Sequence, residues 1–189
     1  MDFEKELSVQ PVAEIPGMFV VNLPVHGDNR GWFKENWQRA KMVELGLPDF
    51  QVVQHNMSFN DKRGVTRGFH AEPWNKLVSV GTGQVFGAWV DLRAGDGFGH
   101  VFTIEIDPSV SVFVPKGVAN SFQVLADNTL YSYLIDAHWS ADARYKSFNL
   151  ADPTVNIAWP IPLDQAELSD KDKNHPLLDT IEPFKEGEL

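Results

Sequence analysis

The sequence of 189 residues contains no cysteine, and this absence excludes several kinds of chemistry. A chain without thiols has no disulfide, no thiolate nucleophile and no cysteine ligand for a metal ion. No apolar run approaches the ~20 residues that cross a bilayer, and the first eight residues are charged rather than apolar. We therefore expect no membrane span and no export signal, and predict a cytoplasmic location.

Basic residues are also scarce, with 16 Lys and Arg against 26 Asp and Glu and a net charge of −10. Proteins that bind nucleic acid or an acidic membrane surface need a basic face, so neither partner is predicted. A small anionic ligand is compatible with this charge, because a pocket can be locally positive on an acidic protein. Arg30, Arg67 and Lys76 are the basic residues whose neighbours best suit such a pocket.

Two motifs of common enzyme classes are missing. No glycine-rich loop joins a strand to a helix, which disfavours a Rossmann or P-loop nucleotide site. No G-x-S-x-G sequence is present, which disfavours a serine hydrolase of the nucleophile-elbow type. A glycosidase with paired carboxylates stays open at this point, although no two carboxylates stand out.

Short β-type runs dominate the chain from residue 51 to residue 135, with turn residues between them. This spacing predicts an antiparallel sandwich or barrel rather than a βαβ array. A strand is predicted over 18–23, a turn over 26–31 and a short helix ending at Leu45 before Gly46. The predicted strands lie at 51–59, 65–71, 77–80, 84–92, 100–106, 111–114, 121–125 and 130–135.

Proline becomes frequent after residue 153, and residues 164–173 are predicted as a short helix or an ordered tail. We find no repeat and no internal boundary. The chain is therefore expected to form one domain over residues 1–189. Its core is placed at about 15–162, and an ordered C-terminal segment at 163–178.

The central stretch of the sequence is G-V-T-R-G-F-H-A-E-P-W-N-K, residues 64–76. Alternation along a strand here would place Thr66, Gly68, His70 and Glu72 on one face. Gly68 suits either close packing or space for a ligand. His70 is either a hydrogen-bonded structural histidine or a general base that titrates near neutral pH.

A metal site is one alternative for this stretch, because His70 and Glu72 have the parity of two ligands on one strand. A third ligand would have to come from a later strand, where barrels of this kind commonly carry G-x-x-H. The comparable stretch 117–122 has Asn120 at that place, and a neutral amide is a poor substitute for imidazole. A base site without a cofactor is the other alternative, with Lys76 to stabilise negative charge and Tyr133 to donate a proton.

Six motifs follow one another in order along the chain. They are D-N-R-G-W-F-K-E (28–35), Q-H-N-M-S (54–58), R-G-F-H-A-E (67–72), V-D-L-R (90–93), V-P-K-G-V-A-N-S-F (114–122) and L-S-D-K-D (168–172). Together they make the chain resemble the dTDP-4-dehydrorhamnose 3,5-epimerase family over about residues 15–178. The H-A-E-P-W form resembles a subgroup found in some Gram-positive bacteria.

The resemblance implies an all-β fold, a cupin-type jelly-roll barrel or sandwich with short flanking helices. It also implies a homodimer that uses no metal and no cofactor. The family's base falls on His70, its acidic partner on Asp172, the enolate-stabilising lysine on Lys76 and the proton donor on Tyr133. The positions that contact the nucleotide sugar fall on Arg30, Phe33, Glu35, Gln54, Asn56, Arg67, Asn120 and Lys171.

The implied reaction is epimerisation at C3 and C5 of dTDP-4-dehydro-6-deoxy-D-glucose, a step of dTDP-L-rhamnose biosynthesis. Two other functions remain as alternatives, a C3-only epimerase and a non-catalytic module that binds nucleotide sugars. The chain departs from the family pattern at Asn120, where many members have histidine, and at His138-Trp139, where others have two tyrosines. Arg144 aligns near a contacting glutamate of the family, and no role is carried over to it.

Overall fold

The computed structural model describes residues 3–189, and its chain consists mainly of short antiparallel strands. No helix among these residues is long and apolar enough to cross a membrane. The strands are β1 (Ser8–Pro11), β2 (Phe19–Asn22), β3 (His26–Asp28), β4 (Gly31–Phe33), β5 (Gln54–Asn60), β6 (Thr66–Ala71), β7 (Lys76–Thr82), β8 (Val85–Asp91), β9 (Val101–Ile106), β10 (Val110–Val114), β11 (Val118–Val124), β12 (Thr129–Ile135) and β13 (Lys146–Ser147). The helices are α1 (Arg39–Glu44), α2 (Asp170–Lys173) and a 3₁₀ turn at Leu178–Thr180.

Two sheets form the body of the fold. One has the strand order β1-β2-β10-β7-β12-β5, the other has the order β13-β6-β11-β8-β9, and β3 and β4 form a separate hairpin. All pairs within the sheets are antiparallel. Strands that are adjacent in sequence often lie in different sheets, which makes this a jelly roll and confirms the predicted fold class.

The core lies between the two sheets, where alternate residues of the central strands are directed inward. Val78, Val112, Trp89 and Val124 belong to this cluster and are fully buried. A second cluster lies where the C-terminal segment covers the other sheet, and Phe69 stacks there on Phe148 with ring centroids 4.5 Å apart. The segment after β13 thereby packs on the barrel through apolar contact.

The predicted strands are all present, with ends that differ by a few residues. The helix predicted to end at Leu45 is α1, and Gly46 has the positive φ of +100° that such a helix end favours. Within the predicted turn 26–31 the structure instead has the short β3 and the start of β4. The C-terminal prediction is met by α2, whose first turn is capped by the Ser169 side chain.

Candidate functional site

A cavity of about 680 Å³ opens into the interior between the two sheets. Strands β5, β7 and β12 form one wall, β6 and β11 form the facing wall, and residues 167–172 form the rim. Seven of the predicted site residues line this cavity. They are Arg67, His70, Lys76, Asn120, Tyr133, Lys171 and Asp172.

His70 and Asp172 form a hydrogen-bonded dyad across 102 positions of sequence, with 3.2 Å between Nε2 and Oδ1. His70 is fixed by β6, and its side chain is 38% exposed toward the cavity. Asp172 lies in α2, where its backbone N–H donates to the Ser169 hydroxyl. An L-S-x-K-D sequence therefore supplies both the helix cap and the carboxylate that reaches the histidine.

Burial alone would raise the pKa of Asp172, but the hydrogen bond and charge of His70 outweigh it and hold the pKa below its usual value. The backbone of Gly68 and the Ser169 hydroxyl act in the same direction. Asp172 is thus a carboxylate at neutral pH. A carboxylate in this place is hydrogen-bonded to His70 Nε2 and so fixes which ring nitrogen carries the proton in the neutral form.

His175 lies beside the dyad, and sequence reasoning gave no role to it. Its Nε2 is 3.3 Å from the same Oδ1 of Asp172, and its ring stands perpendicular to that of His70 with centroids 5.6 Å apart. Burial, and then the charge of His70, lower the pKa of His175. An N-H-P sequence shortly after the dyad carboxylate was the only sequence signal for this residue.

Lys76 begins β7 on the opposite wall and forms an ion pair with Glu72. Both side chains are largely buried, with 5% and 12% exposure. The Lys76 Nζ lies 5.7 Å from the ring centroid of Tyr133. Register explains this proximity, because Tyr133 faces Val78 across the β7–β12 ladder and Lys76 is the next residue on that face.

Tyr133 is a protonated phenol at neutral pH. Burial raises its pKa, and the negative charge of Glu72 adds to the effect. A neighbouring phenol, Tyr131, is fully buried, stacks on Phe122 and donates to Asn120 Oδ1 at 3.0 Å. Asn120 faces His70 directly across the β6–β11 ladder, so this hydrogen bond connects the two walls.

A bulge in β6 overturns the simple alternation expected for this strand. Arg67 pairs with Phe122 and His70 pairs with Asn120, so two residues of β6 face the single residue Ser121. Arg67 and His70 consequently both line the cavity, although strict alternation would place them on opposite faces.

Gly68 makes the bulge possible through close packing rather than through space for a ligand. A Cβ at Gly68 would lie 2.6 Å from the Ser121 Cβ and 2.8 Å from the Asn120 carbonyl oxygen, and φ is +125°. Only glycine fits this position without displacement.

Three predicted site residues lie outside the cavity within this chain. Arg30 is exposed in the β3–β4 hairpin and pairs with Asp28, and the Phe33 side chain is 65% exposed. Glu35 pairs with Lys41 at 2.5 Å. Since these residues line two other depressions, the single chain does not bring them to His70.

Gln54 and Asn56 lie on strand β5 just beyond the residues that line the cavity. Their side chains bond to each other at 2.8 Å, and Gln54 Oε1 accepts from the Trp139 N–H at 3.0 Å. They share a face of β5 with Ser58, which does line the cavity, and they extend this wall beyond it.

The metal alternative built on His70, Glu72 and residue 120 does not match these contacts. Glu72 is engaged by Lys76, and the Asn120 side-chain oxygen accepts from Tyr131. The fold and the cavity together define a jelly-roll protein whose internal cavity is lined by a histidine–carboxylate dyad, a lysine and a tyrosine.

Comparison with known proteins gives the family. The family model described as dTDP-4-dehydrorhamnose 3,5-epimerase matches residues 12–180, and the chain belongs to this family. It is an isomerase, so the predicted family and enzyme class are confirmed.

Relatives match most or nearly all of the chain. A protein described as an RmlC homologue from Streptococcus pyogenes is 48% identical over 99% of this chain and 98% of its own length. A Shigella flexneri dTDP-4-dehydrorhamnose 3,5-epimerase is 33% identical over 85% of this chain and 91% of its own. The solved structure of RmlC from Streptococcus suis, a complex with dTDP-D-xylose, has a TM-score of 0.95 and 48% identity and covers 100% of both chains.

Proposed function

We propose that the chain epimerises C3 and C5 of dTDP-4-dehydro-6-deoxy-D-glucose to give dTDP-4-dehydro-L-rhamnose in the cytoplasm, as a single domain that needs neither metal nor cofactor. The main support for this reaction is the geometry of the cavity, where the His70–Asp172 dyad lies on one wall and Lys76 and Tyr133 lie on the other. Family membership supports this reaction. So does the solved RmlC from Legionella pneumophila with dTDP-4-keto-L-rhamnose, 30% identical to this chain.

His70 is the proposed base. Asp172 accepts from Nε2–H of the neutral ring, and the second nitrogen then carries the lone pair that takes the proton. The hydrogens at C3 and C5 each lie next to the C4 ketone, so their removal gives an enolate. After each abstraction the imidazolium is stabilised by the Asp172 carboxylate at 3.2 Å.

Lys76 and Tyr133 have the complementary roles. The Lys76 ammonium stabilises the enolate oxygen that forms from the C4 carbonyl, where a fixed charge in a dry site has its largest effect. Tyr133 keeps its proton because burial and Glu72 raise its pKa, so it can donate to C5 from the face opposite His70. Donation from the opposite face inverts the configuration.

The nucleotide part of the substrate needs positive charge for its diphosphate. Arg67 and Lys171 line the cavity and are exposed, and guanidinium groups bind phosphate oxygens in pairs. Asn120, Gln54 and Asn56 are the proposed neutral contacts on β11 and β5. Among residues 3–189 Arg67 forms no salt bridge, and its Nε donates to the Asn60 side-chain oxygen.

We also propose that the working unit is a homodimer. Edge strand β5 carries two uncovered apolar side chains, with Met57 63% and Phe59 60% exposed, and Phe59 also borders the cavity. The β3–β4 hairpin is likewise exposed and carries Arg30 and Phe33, which do not reach the cavity of their own chain. A second copy would bury the two apolar side chains of β5 and could bring its Arg30 and Phe33 to this site.

The test incubates the chelator-treated protein with dTDP-4-keto-6-deoxy-D-glucose in D₂O and follows deuterium at C3 and C5 by NMR. Incorporation at both carbons, with an L-rhamnose configuration after chemical reduction, is the expected result. His70→Asn should lower both exchange rates by about 10²–10⁴-fold while the circular dichroism spectrum is unchanged. Normal turnover in that variant would remove His70 from the role of base, and binding without exchange in the wild type would favour the non-catalytic module.

A C3-only epimerase is the second candidate, because relatives described as dTDP-4-dehydro-6-deoxyglucose 3-epimerases are 32% and 30% identical. Deuterium at C3 alone would establish this reaction. The exposed pair His138 and Trp139, which departs from the family pattern, would then be the first place to look for the cause.

A further inference from the structure

Three potential metal ligands converge at the rim of the cavity. His70, Asp172 and His175 each offer one ligand atom, and these atoms all lie within 4.8 Å of one another. Asp172 Oδ1 is central, at 3.2 Å from the Nε2 of His70 and 3.3 Å from the Nε2 of His175. The epimerase reaction proposed above uses the first two residues and leaves the third unexplained.

His175 has an unsatisfied nitrogen. Its side chain is only 9% exposed, and its Nε2 is buried without a hydrogen-bond partner, although the Asp172 oxygen is close. A buried polar atom in this state is costly unless something binds it. The nitrogen lies 3.3 Å from the carboxylate oxygen that His70 also contacts, so one ion could contact all three groups.

The donor set has a chemical preference. Two imidazole nitrogens and one carboxylate oxygen suit Zn²⁺ and similar divalent transition metals, with metal–ligand bonds of about 2.0–2.2 Å. Ligand atoms around a tetrahedral ion are then separated by about 3.4 Å. Two of the three separations are already 3.2 Å and 3.3 Å, and the third is within 4.8 Å, so binding needs at most that the two rings approach each other.

We propose that His70, Asp172 and His175 form a binding site for a Zn²⁺-class divalent ion, and that its occupation switches the enzyme off. The ion binds the Nε2 lone pair of His70 in the tautomer that carries its proton on Nδ1, and takes the Asp172 oxygen as a further ligand. The Nδ1–H then has no lone pair to accept a substrate proton, and His70 loses the carboxylate that stabilises its imidazolium. This inference rests on the proposed function, because inhibition requires His70 to be the base.

Binding and inhibition are measured separately. Chelator-stripped protein is titrated with ZnCl₂ by calorimetry and with CoCl₂ by visible absorption, where a tetrahedral site gives intense bands. The variants are His175→Asn and His175→Gln, and the matched control is His100→Asn, an exposed histidine outside the cavity. Circular dichroism and thermal unfolding check the fold of each variant.

We expect wild type and His100→Asn to bind Zn²⁺ alike, and both His175 variants to bind it at least about tenfold more weakly without the cobalt bands. The zinc concentration that halves each protein's own metal-free rate should be higher by the same factor in the His175 variants.

Equal zinc affinity of the folded wild type and the folded His175 variants would contradict the proposed metal site. Binding that requires His175 but leaves deuterium exchange unaffected would overturn the inhibition. Loss of exchange in the stripped wild type would instead contradict the proposed function, so the two failures are distinguishable.

Discussion

Glu72 and Lys76 form an ion pair inside the cavity, with both side chains largely shielded from water. The four-residue spacing crosses from the end of β6 to the start of β7, so the pair joins the two walls. It places a fixed ammonium near Tyr133 and simultaneously puts a carboxylate where it raises the pKa of that phenol. One pair thus prepares both the proposed enolate stabiliser and the proposed proton donor.

Replacing Lys76 should separate its catalytic and structural contributions. Lys76→Gln is expected to lower kcat by about 10²–10³-fold, because the enolate loses its ammonium. It should also destabilise the fold by about 3–5 kcal/mol, since Glu72 is left buried without its partner. The double variant Glu72→Gln/Lys76→Gln should regain much of that stability in urea titrations but little activity. Recovery of activity in the double variant would contradict the role of Lys76.

Tyr133→Phe should separate the two epimerisations. Without the phenol proton, deuterium exchange and inversion at C5 should slow by about 10²–10⁴-fold while exchange at C3 continues. The matched control is Tyr131→Phe, which loses only the hydrogen bond to Asn120. The C5-to-C3 exchange ratio measured by NMR should fall in the first variant and stay near the wild-type value in the second. Equal ratios in both variants would remove Tyr133 from the role of donor.

Gly68→Ala should cost stability through two separable effects. The positive φ alone costs about 1–2 kcal/mol, and the clash with β11 should add about 1–3 kcal/mol. Gly95→Ala is the matched control, because Gly95 has a similar φ of +127° with nothing within 4 Å of the added Cβ. Urea unfolding should therefore show a larger loss for Gly68→Ala. Equal losses of unfolding free energy in Gly68→Ala and Gly95→Ala would mean that β11 moves to accommodate the added Cβ at no cost, which would contradict the predicted clash.

Asp152 should make stability depend on acid pH. Burial would raise its pKa, but the N–H groups of Leu178 and Thr154 donate to the carboxylate and lower it. A group with a depressed folded pKa stabilises the fold above its unfolded value of about 3.9, and this contribution is lost as the pH falls through the folded value.

Asp152→Asn should accordingly lower the midpoint of thermal unfolding at pH 7 by more than at about pH 3, where the wild-type carboxylate is partly protonated. At pH 7 the free energy of unfolding should fall by about 1–3 kcal/mol, because one buried backbone N–H loses its acceptor. A difference between variant and wild type that does not shrink in acid would contradict this account.

The exposed apolar side chains of β5 should be required for dimerisation. Met57→Glu/Phe59→Glu is expected to give a monomer in sedimentation velocity, because charge would be buried at the interface. The monomer should also lose activity, since Arg30 and Phe33 would no longer come from a second copy. Leu45→Glu, a charge introduced at an exposed apolar residue beyond α1, should leave the sedimentation unchanged. A dimer that persists in the double variant would place the interface elsewhere.

The strand content could be predicted from the sequence because it depends on local properties. Apolar runs broken by turn residues gave nine of the eleven strands of the two sheets to within a few residues, and Gly46 gave the end of α1. The edge strands β1 and β13 were not predicted. His70 lies on a predicted strand within one of the six motifs that indicated the family, and Lys76 and Tyr133 lie on two other strands, β7 and β12. Local patterns could not give the bulge at Gly68, since its cause is the approach of Ser121 from another strand.

The tertiary structure decided which of these residues meet. Asp172 reaches His70 only because α2 packs over β6, and residues 102 positions apart carry no local signal of contact. His175 joins them for the same reason, and the ordered motifs gave it no role. Near neighbours along the chain set most local conformations and the identity of the reactive groups, so these could be predicted from the amino-acid pattern. The distances that make those groups a site depend on how the two sheets and the C-terminal segment pack, and only the folded chain sets them.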